Sequence, residues 1–154
     1  MADYNLVKGH NIQIAGKPSN EVIDNGPPEF VSLNPSEFRG VKPKLMIKEG
    51  DQVKTGSPLF CDKKNTQITW PSPGTGEVTE IVYGERRSIE KIIIKLSDEE
   101  EPESFSSYTS DEINDLSKED ALSVLLKGNI FPFIRQRPFN KVPDPEVAPR
   151  DIFI

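Results

Sequence analysis

Residues 41–96 read VKPKLMIKEGDQVKTGSPLFCDKKNTQITWPSPGTGEVTEIVYGERRSIEKIIIKL, and this stretch decides the fold. Short apolar runs alternate in it with Gly, Pro and Asp, at Leu45–Ile47, Leu59–Phe60, Val78–Tyr83 and Ile89–Leu96. This spacing predicts strands joined by tight turns and disfavours helices. The β-branched run at Ile92–Ile94 suits a pleated, packed surface. We therefore predict a mainly β core.

Four residues of this stretch are predicted to form its turns, because glycine adopts positive φ without strain and Asp favours turns. They are Gly50, Asp51, Gly56 and Gly76. The stretch also repeats a short pattern, since Ile47-x-x-Gly50-Asp51 returns as Ile81-x-x-Gly84-Glu85. Two similar strand–turn halves are what a small sandwich with two-fold symmetry requires.

A longer signature joins these turns to a fold family. E-G-D-x-V-x-x-G-x-x-L at Glu49–Leu59 is followed by S-P-x-x-G at Ser72–Gly76. This arrangement resembles the biotinyl/lipoyl-like domain, which is also called the barrel-sandwich hybrid. The expected fold is mainly β (β+α), a barrel-sandwich hybrid with an N-terminal strand arm, a C-terminal helical segment and an extended tail.

Asp62, Lys63, Lys64 and Asn65 lie on the hairpin between the two signatures. In the biotinyl/lipoyl-like family a hairpin at this place presents a lysine for a prosthetic group, so Lys63 or Lys64 could serve a carrier domain. However, the spacing to the following Pro-Ser-Pro is longer than in the lipoyl pattern, and no Met flanks either lysine as in the biotin pattern. A purely structural hairpin is the favoured alternative.

Composition excludes several classes of function. The chain has 154 residues and a net charge of −6, which argues against a nucleic-acid surface, because phosphate binding needs clustered Lys and Arg. Cys61 and His10 are the only Cys and His, so neither an internal disulfide nor a tetrahedral zinc site can form within the chain. We predict that His10 is a solvated loop residue. No apolar run approaches the ~20 residues that span a bilayer, and no secretory signal is expected.

The regions flanking the sandwich are assigned from their composition. Residues 1–40 are predicted to form a loop-rich arm with strands at Asn11–Ile14 and Phe30–Leu33, and residues 41–97 to form the sandwich. Residues 98–109 are predicted to be a flexible acidic linker, because the like charges of Asp98–Glu103 repel one another. The spacing of these carboxylates does not match a calcium-binding loop.

A helical segment is predicted for residues 110–128. Ser110 and Ser117 are candidate N-caps, and Gly128 is expected to end the helix in the left-handed conformation. The apolar residues Ala121, Leu122, Leu125 and Leu126 fall on one face. We expect this face to pack on the sandwich or on a neighbouring domain, because so short a helix needs such packing.

The tail, residues 129–154, interleaves aromatic residues and cations with prolines that rule out a regular helix. Phe133, Arg135, Arg137 and Phe139 are the candidate binding residues, because guanidinium planes pair with carboxylates and stack on rings. The alternative is that the phenylalanines pack internally and the arginines are solvated. Asp151–Ile154 resembles the start of a buried strand, which leads us to expect a longer protein.

These segments together resemble the N-terminal region of the A-subunit family of the sodium-pumping NADH:quinone reductase. The matching stretches are Lys8-Gly9, Ile14-Ala15-Gly16-x-Pro18, Gly40-x-x-Pro43, Gly50-Asp51-x-Val53, Leu59-Phe60-x-Asp62-Lys63-Lys64-Asn65, Pro73-x-x-Gly76-x-Val78, Arg135-x-Arg137-Pro138-Phe139 and Lys141-Val142-Pro143. The related C subunit of the Rnf electron-transport complex shares the sandwich but lacks this hairpin and this arginine segment.

The resemblance implies a peripheral subunit on the cytoplasmic side of a bacterial inner membrane, bound to membrane-embedded subunits. The complex would pass electrons from NADH to quinone and export Na⁺, with NADH, flavins and iron–sulfur centres held by other subunits. The family member itself would carry no covalent cofactor or metal and would continue past residue 154 into a Rossmann-like domain.

Three functions are compatible with these features. In the first, the chain docks on partner subunits and contacts quinone through Phe133, Arg135, Arg137 and Phe139, without being a catalyst alone. In the second, it is a biotin or lipoyl carrier modified at Lys63 or Lys64. In the third, it is a non-catalytic interaction module whose tail is a docking peptide.

Overall fold

A computed structural model describes residues 8–9 and 12–152 of the chain. Its strands are β1 (Phe30–Leu33), β2 (Pro43–Leu45), β3 (Gln52–Val53), β4 (Pro58–Asp62), β5 (Thr69–Pro71), β6 (Gly76–Tyr83) and β7 (Ile89–Leu96). Its helices are α1 (Ser110–Asp115) and α2 (Lys118–Lys127), and short 3-10 turns occur at Pro35–Glu37, Glu85–Arg87 and Phe131–Phe133. The predicted mainly β class is confirmed.

The strands form two antiparallel sheets that share one core. The larger sheet has the order β1-β7-β6-β3 and the smaller has the order β2-β4-β5. In the larger sheet Val78 lies opposite Ile94, and Ile81 lies opposite Ile92. The core draws on both sheets and consists of Val53, Leu59, Phe60, Ile68, Trp70, Val78, Ile81, Ile92, Ile94 and Phe131. Each large side chain buried there contributes about 1.5–3 kcal/mol to stability.

Two of the three predicted glycine turns have the expected backbone. Gly50 and Gly56 have φ of +87° and +95°, which L side chains rarely adopt. Gly76 does not form a turn, which corrects the prediction: it is the first residue of β6, and an added Cβ would collide with the backbone carbonyl of Lys95. Glycine is needed there for close approach between strands and not for its φ.

The repeated Ile-x-x-Gly-acid pattern does not give two equivalent turns. Asp51 accepts a hydrogen bond from the Lys48 backbone N–H at 2.9 Å, which closes the first turn. In the second turn Gly84 has an ordinary φ of −95°, and the positive φ angles fall on Arg86 and Arg87 instead. The local pattern therefore indicates two turns but not their conformations.

The predicted strand at Phe30–Leu33 is confirmed, but it does not belong to a separate arm. It pairs along its length with β7, placing Leu33 opposite Ile92, so the sandwich begins before residue 41. The strand predicted at Asn11–Ile14 is wrong for residues 12–14, which are exposed and form no strand. An apolar alternation without a partner strand leaves the backbone to water. Asn11 and His10 lie outside the described residues.

Residues 100–103 of the predicted flexible acidic linker lie against the sandwich. The backbone N–H of Glu103 donates to the Thr55 carbonyl at 2.8 Å. The Thr75 hydroxyl accepts from the Glu101 N–H at 2.9 Å and donates to the Glu101 carbonyl at 2.8 Å. Like-charge repulsion between side chains does not prevent the backbone from hydrogen-bonding to neighbouring strands.

The predicted helical segment consists of two helices instead of one. Thr109 caps α1 through a capping box with Glu112, so Ser110 is the first helical residue and not the cap. Ser117 caps α2, as predicted, because its hydroxyl accepts the Asp120 N–H at 3.1 Å. Leu116 between them has an extended backbone, with φ −63° and ψ 133°, which breaks the helix.

The end of α2 is joined to the sandwich by Asn129. Gly128 has φ −75°, so the predicted left-handed glycine is wrong, and Asn129 adopts the positive φ of 56° instead. The Asn129 amide donates to the Gly56 carbonyl at 2.9 Å and accepts from the Thr69 hydroxyl. Three leucines of α2, namely Leu122, Leu125 and Leu126, pack on the core, which confirms docking on the sandwich.

Candidate functional site

The tail segment leaves the sandwich and returns to it within a few residues. Phe131 is buried in the core cluster, and Val142 packs against the same cluster. Between them Gln136 donates its backbone N–H to the Lys141 carbonyl at 2.8 Å, which closes a turn. We call residues 133–141 the tail loop. Because both of its ends are anchored, the loop is presented at a defined place on the surface.

Arg135 holds the base of the tail loop and belongs to the fold. Its guanidinium donates to the Pro132 carbonyl at 2.7 Å and lies 5.5 Å from the centroid of the Phe38 ring. The Phe38 ring in turn meets the edge of Trp70 at a centroid distance of 5.3 Å. Trp70 stacks on Phe60 with centroids 4.8 Å apart. The cation is thus attached to an aromatic cluster that reaches the core.

The other three candidate residues of the tail loop are exposed. Phe133 and Phe139 are 55% and 64% exposed, and Arg137 is also exposed. Exposed aromatic rings beside a guanidinium can stack on a flat ring and donate hydrogen bonds to its carbonyl oxygens. The structure therefore divides the sequence-predicted set into one positioning residue, Arg135, and three residues free to contact a ligand or a partner.

Sequence reasoning missed Phe38 and Asn129, which connect this region to the sandwich. Phe38 lies in a polar stretch between Glu37 and Arg39, where no apolar pattern distinguishes it. Asn129 follows Gly128, and Asn directly after a glycine at a helix end is itself a signal for the left-handed conformation. That signal could have identified Asn129 as the residue with positive φ.

The hairpin between β4 and β5 is folded by its own polar groups. The Asp62 carboxylate accepts from the backbone N–H of Lys42 at 3.2 Å and of Lys64 at 3.1 Å. The Lys63 N–H donates to the Lys42 carbonyl at 2.8 Å. The Lys64 ammonium lies 3.4 Å from the Gly40 carbonyl, which it contacts as a donor. The motif thus fastens the hairpin to residues 40–42.

Asn65 continues this network, because its side-chain oxygen accepts the Gln67 N–H at 3.1 Å and shapes the turn into β5. Every residue of the Asp62–Asn65 motif therefore has a structural contact. These contacts support the structural interpretation of the hairpin. Lys63 and Lys64 are both exposed, and modification at either lysine stays a prediction.

A groove of about 490 Å³ lies where this hairpin meets the end of β6 and the start of β7. Its charged lining residues are Arg39, Lys42, Lys63 and Arg87. Apolar contact surface comes from neighbouring residues, among them Phe38 and Tyr83. Sequence reasoning did not find this groove, because its cations are far apart in the chain and become neighbours only in the folded protein.

Titration shifts lie away from these surfaces. The Lys54 ammonium donates a hydrogen bond to the Glu101 carboxylate, and this bond together with the charge of Glu101 raises the pKa of Lys54 above 10.5. The Thr109 backbone N–H and hydroxyl lower the pKa of the Glu112 carboxyl below its ordinary value of 4.5. Among the described residues, no group of three His, Cys, Asp or Glu side chains could hold a metal ion. No helix in the same part of the chain is long and apolar enough to cross a membrane.

Two family models match the chain. The NqrA N-terminal barrel-sandwich hybrid domain matches residues 4–97, and the NqrA second alpha/beta domain matches residues 116–154. The first match agrees with the two-sheet sandwich described above and confirms the expected barrel-sandwich hybrid. The second match starts at Leu116, where the backbone between α1 and α2 is extended.

Three curated relatives carry the same name, the A subunit of the Na(+)-translocating NADH-quinone reductase. The chain is 37% identical over 149 residues to the protein of Pseudomonas aeruginosa strain UCBPP-PA14, covering 97% of this chain and 33% of the relative. It is 38% identical over 150 residues to that of Yersinia pestis, again covering 97% and 33%. For Marinomonas sp. strain MWYL1 the identity is 33% over 151 residues, covering 98% and 34%. The chain thus spans about a third of the length of these relatives.

Proposed function

The chain belongs to the family of the NqrA N-terminal barrel-sandwich hybrid domain, and from this premise we propose that it acts within the A subunit of a sodium-translocating NADH-quinone reductase. It would be a peripheral piece on the cytoplasmic side of a bacterial inner membrane. Membrane-embedded subunits of the reductase would be its partners, and NADH, flavins and iron–sulfur centres would lie in those other subunits. Its own part would be docking and contact with quinone, without independent catalysis.

One observation carries the quinone-side role: the tail loop presents Phe133, Arg137 and Phe139 to solvent on a base held by Arg135. A quinone head group has two apolar faces and two carbonyl oxygens. Aromatic rings can stack on those faces, and a guanidinium can donate to an oxygen. An aromatic and cationic loop fastened to a rigid sandwich supplies both in a fixed arrangement, which favours binding by reducing the ordering cost.

The proposal is tested in the assembled reductase with Arg137→Ala combined with Phe139→Ala. Losing one ring contact and one charged donor should raise the KM for quinone roughly tenfold or more. Electron transfer from NADH to the first flavin should not change, because those groups would lie elsewhere. The measurement is steady-state quinone reduction, together with the amount of complex on a native gel.

A matched control replaces Arg150 and Tyr108, an arginine and an aromatic residue outside the tail loop, with alanine. This double variant should keep the quinone KM within about twofold of the parent. If both double variants have the same quinone KM, the quinone contact is wrong. If the loop variant lowers only the yield of complex, the loop is a docking element and does not contact quinone. Photolabelling with a reactive quinone separates the same alternatives, because quinone contact requires label on residues 130–143.

Arg135 is expected to act by positioning the loop. Arg135→Ala should raise the quinone KM less than the double variant and should make the loop more sensitive to limited proteolysis. A direct contact would instead raise the KM without changing the proteolysis rate. Arg135→Lys keeps the charge but loses the planar fork that lies over Phe38, so it should restore the parent behaviour only in part.

A further inference from the structure

The groove beside the β4–β5 hairpin is surrounded by positive charge in a chain that is acidic overall. We call it the basic groove and define it by Arg39, Lys42, Lys63 and Arg87 around an apolar floor that includes Phe38 and Tyr83. Within the part of the chain that the structure describes, no Asp or Glu lines it. The net charge of the chain is −6, so these clustered cations are a local reversal of its composition.

The four cations are not used for ion pairs within the described residues. The ion pairs there join Lys54 to Glu101, Lys95 to Glu29 and Arg150 to Asp151. The acidic side chain of the hairpin, Asp62, accepts hydrogen bonds from the backbone N–H groups of Lys42 and Lys64 instead. The described fold thus holds four positive charges together without an internal ion pair, as expected of a surface that receives an anionic partner.

The turn that carries Arg87 has an unusual backbone. Arg86 and Arg87 have φ angles of 55° and 59°, a region that Gly or Asn would occupy at lower cost. Both arginines are exposed, so packing does not account for the choice of residue. Neither the backbone of the turn nor packing favours arginine at these two positions, which is consistent with a role in contact.

A second hollow extends the groove. It has a volume of about 340 Å³ and is lined by Leu45, Ile47, Lys48, Glu49, Ile81 and Tyr83. Tyr83 lines both spaces, so the two adjoin at this ring. An elongated surface with a basic end and a continuation of mixed apolar and charged residues matches an extended chain better than a compact ion, because a compact ion would fill only one part.

We propose that the basic groove binds an extended acidic segment of a partner polypeptide, with an aromatic or aliphatic side chain of that segment seated near Tyr83. Carboxylates of the partner would pair with Arg39, Lys42, Lys63 and Arg87. The groove is lined by residues 35–36, 38–43, 63, 83 and 87–89, all outside the tail loop. It adjoins the base of that loop, where the Arg135 guanidinium lies over Phe38. The proposal rests on the proposed function only for the partner being another subunit of the reductase.

The test uses the full chain and a fluorescein-labelled heptapeptide of glutamates with one central phenylalanine, followed by fluorescence anisotropy at low and high salt. Arg39→Glu combined with Arg87→Glu should weaken binding at least roughly tenfold, because two attractions become repulsions. Lys17→Glu combined with Lys91→Glu gives the same change of net charge at exposed sites outside the groove and should weaken binding less than about twofold. Circular dichroism confirms that both variants are folded.

Two further peptides test the shape of the site. Replacing the central phenylalanine with serine should weaken binding several-fold, because the apolar contact near Tyr83 is lost. Any binding of an all-lysine peptide should not be weakened by Arg39→Glu combined with Arg87→Glu, because the groove would not attract a cation. Equal weakening by the two double variants would mean that binding follows net charge alone, and the proposal would be wrong. Absence of binding to the glutamate peptide would overturn it as well.

A binding experiment with vesicles that contain phosphatidylglycerol distinguishes a protein partner from a lipid surface. We expect the glutamate peptide to bind in solution and the vesicles to retain little of the chain. If the chain binds vesicles through Arg39 and Arg87 and an excess of the peptide does not release it, the groove recognises lipid headgroups and the proposal is wrong. None of these measurements uses the assembled reductase. The proposal for the basic groove can therefore be disproved without affecting the proposed quinone contact, and the reverse also holds.

Discussion

The sandwich and the C-terminal arm, residues 109–152, are stabilised in different ways. In the sandwich the side chains of Leu59, Phe60, Trp70, Val78, Ile92 and Ile94 have no exposed surface at all. In the arm α1 and α2 contain no fully buried residue. The arm is attached to the sandwich by three half-buried leucines of α2 and by a few contacts of Asn129, Phe131 and Arg135. Stability is thus distributed over many side chains in one region and concentrated in a few in the other.

This difference is compatible with the proposed placement of the ligand-contacting residues in the tail loop. A surface loop with anchored ends can present exposed aromatic rings without exposing the core, because the sandwich does not depend on it. The same arrangement means that single substitutions in the arm can detach it while the sandwich stays folded. Substitutions in the core should instead affect the whole molecule at once.

The largest expected effect is that of Trp70→Ala in the sandwich. Trp70 is fully buried between Phe60 and Phe38, so truncation leaves a large cavity and should cost about 3–5 kcal/mol of unfolding free energy. Urea unfolding followed by far-UV circular dichroism measures this change. Phe139→Ala removes an exposed ring and should cost less than about 0.5 kcal/mol.

Trp70→Phe tests whether the loss of stability at this position comes from the loss of ring volume. The Trp70 indole N–H is buried without a hydrogen-bond partner among the described residues, which is itself unfavourable. Phenylalanine keeps the stacking on Phe60 and removes this unpaired donor, so its cost should be clearly smaller than that of alanine. Equal losses for the two variants would show that ring volume at this position does not decide stability.

The second prediction concerns the contact between the C-terminal arm and the sandwich. There Asn129→Ala should lower the unfolding free energy by about 2–3 kcal/mol. The substitution leaves the Gly56 carbonyl and the Thr69 hydroxyl without their partner and forces alanine into a positive φ. Asn129→Gly loses the same hydrogen bonds but tolerates the backbone, so it should be about 1 kcal/mol less harmful. The measurement is hydrogen exchange, which should increase in α2 before it increases in β6 and β7.

If Asn129→Ala instead lowers protection equally in α2 and in the central strands, the arm and the sandwich unfold as one unit. The distinction between distributed and concentrated stability would then be wrong. An unchanged exchange rate in α2 would also contradict this distinction, because the leucines of α2 would then be sufficient to hold the helix on the sandwich.

The strands can be predicted from the sequence because their signal is local. The run at Ile89–Leu96 coincides with β7, and Phe30–Leu33 coincides with β1. The pairing of β1 with β7 cannot be predicted in this way, because it joins residues about sixty positions apart and neither strand carries a feature that identifies its partner. The sequence alone therefore assigns β1 to the N-terminal arm of residues 1–40, whereas the structure shows that β1 belongs to the sandwich.

Phe133, Arg137 and Phe139 are exposed, which agrees with a binding segment, but their role stays a prediction. The residues that support this segment could not be predicted. Proline and arginine among aromatic residues identify the tail loop, since such composition is typical of a binding surface. The contact between Arg135 and Phe38 depends on the folded arrangement and has no local signal. The charges of the acidic segment 98–103 predict a free linker, whereas backbone hydrogen bonds to Thr55 and Thr75 determine its position.

The smallest expected effect is a pH dependence at the start of the arm. Helix α1 has six residues and contains no buried side chain, so it relies on its capping box. The Glu112 carboxylate accepts from the Thr109 backbone N–H at 2.7 Å and from its hydroxyl at 2.9 Å, which lowers the pKa of Glu112 below 4.5.

Because the carboxyl has a lower pKa in the folded protein than in the unfolded chain, its stabilisation is complete above the unfolded value and is lost as pH falls through the folded value. Acidification below pH 4.5 should therefore fray α1 first, seen as shifts of its amide resonances while those of β6 and β7 hold their positions. Glu112→Gln should remove the part of this pH dependence that comes from the cap. If the variant frays over the same pH range as the parent, acidification acts on α1 through other carboxylates of the arm, and the capping box does not control the helix.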